Sequence, residues 1–295
     1  MKIRLLKVIL CWVCASVLII SLTTALPAEE KATYKVDVDE TINLAAPNGN
    51  RIQCYFFVPQ ERPGPLPVVI IVPPGEQAAQ SMFPYARTIA EGGIAVFCYD
   101  PEGRGKSTGT EDYNGPAHQD DLTEVIKYLR SQRGRVDHRN IGILSFFDGT
   151  TAAVGSLFKN PKLDVKYLID LEGPATREDC IRQRCPLPRE AGMDDFFWKD
   201  REAFSFIQRI FCRYLRLQCK TDHAMQDDKT YAIRMYNAAL KGKSPWARCN
   251  YNGTYTELDP AFPGKYQWLR SADKDVLARF VQEMAQMEPL PESIK

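Results

Sequence analysis

Histidine is scarce in this chain of 295 residues: His118, His138 and His223 are the whole supply. Chemistry that needs an imidazole as base or ligand must therefore use one of those three positions. Net charge is missing too. The 38 Lys and Arg nearly cancel the 37 Asp and Glu, which gives no electrostatic reason to expect nucleic acid or an anionic membrane surface as the main partner. The one C-x-x-C, Cys11-Trp12-Val13-Cys14, lies inside the apolar N-terminal run, and none occurs beyond it, so zinc-site spacing is absent from the rest of the chain. Neither internal repeats nor low-complexity tracts are present. The apolar run from Val8 to Leu22 falls short of the roughly 20 residues a spanning helix needs. Lys2, Arg4 and Lys7 precede that run and Thr23-Thr24-Ala25 follows it, so residues 1–25 read as a signal peptide and predict a secreted or periplasmic protein. Cys11 follows Leu10 and Cys14 follows Val13, not the small residue of a lipoprotein signal.

What is there is an ordinary globular composition, 44% apolar and 25% charged, enough for one substantial core. The pattern alternates. Extended segments are predicted at 51–58, 68–72, 94–99, 141–146, 165–171, 212–220 and 246–251, and helices at 81–91, 117–130, 150–159, 230–241 and 273–286. Such alternation demands right-handed crossovers, hence an α/β fold with a mainly parallel sheet and helices on both faces, in one domain over 33–295. The rhythm breaks from about 173 to 210 into a charged, aromatic, helix-rich stretch, expected to be an inserted cap. Of the seven cysteines beyond the signal segment, Cys180 and Cys185 flank a short polar loop and form the best candidate pair. Cys212 and Cys219, set along one predicted strand, are too far apart to bond to each other.

Asn140-Ile-Gly-Ile-Leu-Ser145-Phe146-Phe147-Asp148-Gly149-Thr150 reads as a buried strand, a tight turn and a helix of small residues. In a G-x-S-x-G elbow the outer positions are small so that strand and helix can cross closely, and Ser145 and Gly149 meet that need. With Val72-Pro73-Pro74-Gly75 and Tyr99-Asp100-Pro101-Glu102-Gly103-Arg104-Gly105-Lys106-Ser107, this order of motifs resembles the α/β-hydrolase superfamily, particularly its serine aminopeptidase-like and dienelactone-hydrolase-like branches. The likeness covers about 51–172 well and the remainder loosely. The glycine-rich turn at 103–107 lacks nucleotide-loop spacing and is expected to be structural.

The resemblance implies ester or peptide hydrolysis by a nucleophile, a histidine base, an acid and two oxyanion amides. The nucleophile position holds Phe147, and a benzyl group cannot attack a carbonyl. The resemblance places the base in 252–265, which contains no histidine. His223 adjoins Asp222, the remnant acid, but neighbouring side chains generally point apart, which disfavours a hydrogen bond within the pair. His118 and His138 are expected on the surface. Oxyanion amides are expected from Asp148, whose side chain should point away, and from Glu76 or Gln77, with Gly75 among the binding positions; Thr150 and Thr151 are expected as helix caps. Phe147 is expected either to relax the positive φ of the apex or to keep it and plug the mouth.

These readings predict a degenerate hydrolase that retains a capped cleft for a small molecule or peptide. The alternative is an active esterase or peptidase with a non-family catalytic arrangement. No cofactor, metal, nucleic acid or membrane partner is expected, acidic loops such as 222–228 being usually solvated.

Overall fold

The computed structural model describes residues 33–188, 191, 194–219, 225, 228, 230–250 and 273–290. Its strands are β1 (Val36–Asp39), β2 (Asn43–Ala45), β3 (Arg51–Pro59), β4 (Leu66–Val72), β5 (Ala95–Tyr99), β6 (Val136–Phe146), β7 (Tyr167–Leu171), β8 (Arg213–Leu217) and β9 (Ala247–Cys249). The helices are α1 (Phe83–Glu91), α2 (Pro116–Ser131), α3 (Gly149–Lys159), α4 (Arg177–Arg182), α5 (Asp195–Trp198), α6 (Ala203–Ile207), α7 (Thr230–Lys241) and α8 (Lys274–Gln286).

The nine strands form a sheet in the order β1-β3-β5-β4-β6-β7-β8-β9, with β2 also on β3. Strand β3 is antiparallel to β1, β2 and β5. From β5 across to β9 every pairing is parallel. Val68 to Val72 of β4 are buried throughout, as expected of a β-branched run covered on both faces. One face packs against Leu122, Val125 and Ile126 of α2, Ala152 and Val154 of α3, and Tyr231 and Met235 of α7. The other packs against Ile89 of α1 and Leu277, Phe280 and Val281 of α8.

β4 lies between β5 and β6, so the chain winds outward on one side of β4 and then crosses back to build the other. Such a reversal opens a crevice at the carboxyl ends of the strands. The segments that follow β4 and β6 meet there.

A buried ion pair braces the neighbouring strands. Arg216 Nη1 of β8 lies 2.7 Å from Asp170 Oδ2 of β7, with both side chains fully buried. The Tyr214 hydroxyl donates to the same oxygen at 2.6 Å and Arg216 also donates to the Gly173 carbonyl at 2.7 Å. These contacts offset part of the desolvation that makes lone buried charges costly, with Arg216 Nε left without a partner.

Strands β1 and β2 are additions to the sequence reading, whose first predicted strand begins at residue 51. They are short, and their pattern was masked by Asp and Asn on exposed or half-buried positions. Strand β6 begins earlier than expected and takes in His138, assigned from sequence to a polar turn on the surface; it is half-buried in the strand. Three short helices, α4 to α6, occupy the stretch between β7 and β8.

Candidate active site at the elbow after strand 6

Phe147 has φ 47°, in the left-handed region. Of the two sequence alternatives, the turn therefore keeps its positive φ. Two hydrogen bonds hold it: the Phe147 amide donates to the Leu171 carbonyl at 2.8 Å, and the Thr150 amide donates to the Phe147 carbonyl at 3.0 Å. The first ties the apex to the end of β7 and the second starts α3. The Phe147 ring is half-buried against the apolar cluster shared with α1 and α8, its centroid 6.4 Å from that of Phe146. Gly149 is required sterically, because a Cβ there would lie 2.5 Å from the Pro73 carbonyl oxygen. That contact is the close crossing anticipated from the small residues.

Asp148 departs from expectation. Its side chain does not point away and does not cap its own helix. It reaches across the crevice, where the Gly75 amide donates to Oδ1 at 2.6 Å and Asn114 Nδ2 donates to Oδ2 at 3.1 Å. Burial pushes the Asp148 carboxyl above its ordinary range, and the Gly75 amide, the Arg104 guanidinium and the amide of Asp148 itself oppose that rise. The Gly75 amide, one of the expected oxyanion or binding positions, and the amide of Asp148 itself thus already serve the Asp148 carboxyl. Glu76 is exposed. The Gln77 amide donates to the Pro74 carbonyl at 3.0 Å.

His118 is fully buried at the start of α2, which corrects its assignment to the surface. Helical periodicity alone places it ambiguously near the start of the helix, and Gly115-Pro116 turns it inward. The Asn114 amide donates to His118 Nδ1 at 3.0 Å, while Nε2 lies 2.9 Å from the Glu102 carbonyl oxygen and 3.3 Å from the Asp112 amide nitrogen. Burial, helped by the positive charge of Arg104, pulls its pKa down to about 4. Its hydrogen-bond partners include no hydroxyl or thiol. Arg104 clasps Glu111 through Nε and Nη2 at 2.7 and 2.8 Å, and Asn114 links this group to Asp148. Sequence reasoning missed the Arg104–Asn114–His118 group because its members lie in a loop and on the first turn of a helix. Asn114, at φ 60°, carried no signal beyond its tolerance of that conformation.

The hydroxyls of Ser145 and Thr150, beside the elbow, are engaged. Thr150 Oγ1 donates to Asp170 Oδ1 at 2.8 Å and lies 2.8 Å from Ser145 Oγ. Thr150 therefore supports the ion pair under the elbow instead of capping α3. Asp100 organises the 103–107 turn by accepting from the Ala79 and Lys106 amides at 2.8 Å each, and a Cβ at Gly105 would strike its carboxylate at 2.3 Å. The structural reading of that turn holds. Pro186, in the segment after α4, sits on Gly75, where an added Cβ would lie 3.1 Å from Pro186 Cγ.

Asp222, His223 and residues 252–265 lie outside the described residues, as do 1–25. Among the described residues no group of three or more His, Cys, Asp or Glu is arranged to hold a metal ion, and no helix is long and apolar enough to cross a membrane. A surface recess lined by Leu157, Asn160, Pro161, Val165, Cys212 and Leu290 lies at the opposite end of the sheet from the elbow.

No family model matches the sequence, and no curated protein matches it. Solved structures do match. A hypothetical protein of Pseudomonas aeruginosa is similar over 86% of this chain and 95% of its own, with 16% identity and a TM-score of 0.58. An esterase of Pyrococcus furiosus is similar over 85% and 93%, with 13% identity and a TM-score of 0.58. The dipeptidyl peptidase 4 of Porphyromonas gingivalis is similar over 85% of this chain, with 15% identity and a TM-score of 0.60; the chain spans 36% of that enzyme's length. At such identities the likeness is one of fold.

Proposed function

We propose that this chain, whose fold is that of the α/β-hydrolases, is an exported, catalytically degenerate relative of ester and peptide hydrolases that keeps the crevice as a binding site for a small molecule or peptide. The observation that carries this reading is the pairing of Phe147 at the apex with the Asp148 carboxylate on the Gly75 amide. Acyl transfer needs a nucleophile at the first position and vacant donors at the second. Here an aromatic ring stands at the apex, and the Asp148 side chain occupies an amide that a tetrahedral oxyanion would need. The expectation of export rests on the composition of residues 1–25. The cleft is proposed to lie under the segment that carries Pro186, because Pro186 sits against Gly75 at its floor.

A fluorophosphonate probe tests the degenerate reading. The full chain is expected to remain unlabelled under conditions that label a serine esterase. Labelling of any serine in the native protein would overturn the reading in favour of an active hydrolase with a non-family arrangement. Binding is tested by thermal shift against short peptides and small esters, since a ligand that binds the native state raises the melting point.

A further inference from the structure

Five of the seven described cysteines, Cys54, Cys98, Cys212, Cys219 and Cys249, are buried in or beside strands of the sheet. Cys180 and Cys185 differ from them. Cys180 lies in α4 and Cys185 three residues beyond that helix. The Cys185 amide donates to the Cys180 carbonyl at 3.0 Å, folding the intervening turn back so that the two thiols share a hydrogen bond. Arg184, at φ 56°, makes the reversal. Cys180 is 8% exposed, whereas Cys185 is half-buried and within reach of solvent.

The neighbour of Cys185 in the chain gives the pair its importance. That residue, Pro186, is the one seated on Gly75, whose amide holds the Asp148 carboxylate. Asp148 is also close enough to act on Cys185: the Cys180 thiol, burial and the Asp148 charge all push the Cys185 thiol upward. The pair, the strap and the filled oxyanion position are consecutive parts of one structure.

We propose that Cys180 and Cys185 are a disulfide-forming site that latches the Cys185–Pro186 strap over the Gly75–Asp148 crevice. The oxidant is a small disulfide of the glutathione class. One of the two cysteines, as its thiolate, attacks it, forming a mixed disulfide and expelling one glutathione thiolate. The other, as its thiolate, then attacks the Sγ of the first, forming the internal bond and expelling the second. The two cysteine protons end on the two glutathione thiols, so two protein thiols are oxidised and one small disulfide is reduced. The inference concerns the covering of the crevice and does not depend on whether its chemistry is lost.

The test uses the full chain equilibrated with oxidised or reduced glutathione, then alkylated and digested with trypsin without reductant. Trypsin cuts after Arg182 and Arg184, inside the would-be ring, so the peptides bearing Cys180 and Cys185 should run as one linked species after oxidation and as two alkylated species after reduction. Hydrogen exchange on the same samples should show the Gly75 amide slowed by about tenfold or more in the oxidised form. The Cys185→Ser variant should exchange at the reduced rate under both conditions. Absence of the linked species in natively folded protein would overturn the proposal. So would a linked species that leaves Gly75 exchange unchanged, since the bond would then exist without acting as a latch.

Discussion

The amide of Gly75 donates a 2.6 Å hydrogen bond to the carboxylate of Asp148, joining the turn after β4 to the turn after β6. The Gly75 amide is therefore engaged by a side chain of the chain itself. Under the proposed function, a donor that could serve a developing oxyanion, commonly among the largest sources of rate enhancement in acyl transfer, is already occupied. Restoring a hydroxyl at the apex does not remove this obstacle. Phe147→Ser is expected to hydrolyse p-nitrophenyl acetate no faster than the parent chain. Measurable turnover by that single variant would show that a base and a free oxyanion site exist after all.

The apex also predicts an inverted stability order. Glycine is ordinarily less stable than alanine at an ordered position by roughly 0.5–1 kcal/mol. At φ 47° alanine carries the left-handed penalty of about 1–2 kcal/mol and glycine does not. Phe147→Ala and Phe147→Gly both lose the ring, so the difference between them isolates the backbone. Urea denaturation is expected to find Phe147→Gly at least as stable as Phe147→Ala, and a clear advantage for alanine would mean that the turn is relaxed in solution.

Gly149 offers a steric counterpart. A methyl group there would press on the Pro73 carbonyl oxygen at 2.5 Å, a backbone atom that cannot rotate away, so Gly149→Ala is expected to cost on the order of 1–3 kcal/mol. Gly134 is exposed and a Cβ would meet nothing within 4 Å. Gly134→Ala should therefore be neutral within roughly 0.5 kcal/mol. Equal melting points for the two variants would contradict the close crossing of β6 and α3.

These elements mark what the sequence made legible. The β-branched run of β4 and the small residues at 145 and 149 are local signals, and each found its expected place in the sheet and elbow, with Phe147 at the positive-φ apex between them. The Asp148 contact was illegible because its partners, Gly75 and Asn114, are 73 and 34 residues away. A rule for side-chain direction beyond an elbow cannot see a donor on a different turn. His118 was misplaced for a similar reason: its burial is created by Glu102, Arg104 and Glu111 from the preceding loop, and no periodicity encodes them.

Two buried groups near that loop titrate in opposite senses. Burial pushes Asp121 up to about 7, while burial pulls His118 down to about 4. For Asp121 the folded state holds the proton more tightly than the unfolded one, so its contribution is present below about pH 4 and lost as pH rises towards 7. For His118 the folded state prefers the neutral ring, so its contribution is present above about pH 6.5 and lost as pH falls. Between those limits the two slopes oppose each other. Asp121→Asn keeps an acceptor for the Glu102 amide, bonded at 2.7 Å, and removes only the acid. Relative to the parent, its stability should therefore improve as pH rises from about 4 to 7, by up to roughly 1.4 kcal/mol per pH unit. Urea midpoints at pH 4.5, 6 and 7.5 measure this, and a pH-independent difference would rule out a buried, shifted Asp121.

At one end of the sheet, β1 reads Val-Asp-Val-Asp. Val36 and Val38 pack inward on the cluster beside α1 and α8, while Asp37 is exposed and engages Gln60, and Asp39 accepts from Thr41. A second copy approaching this margin to extend the ladder would bring acidic side chains against acidic side chains, along a strand only four residues long. Like charges and a short template both disfavour such addition. At this margin the sheet is thereby guarded against growing into a fibre.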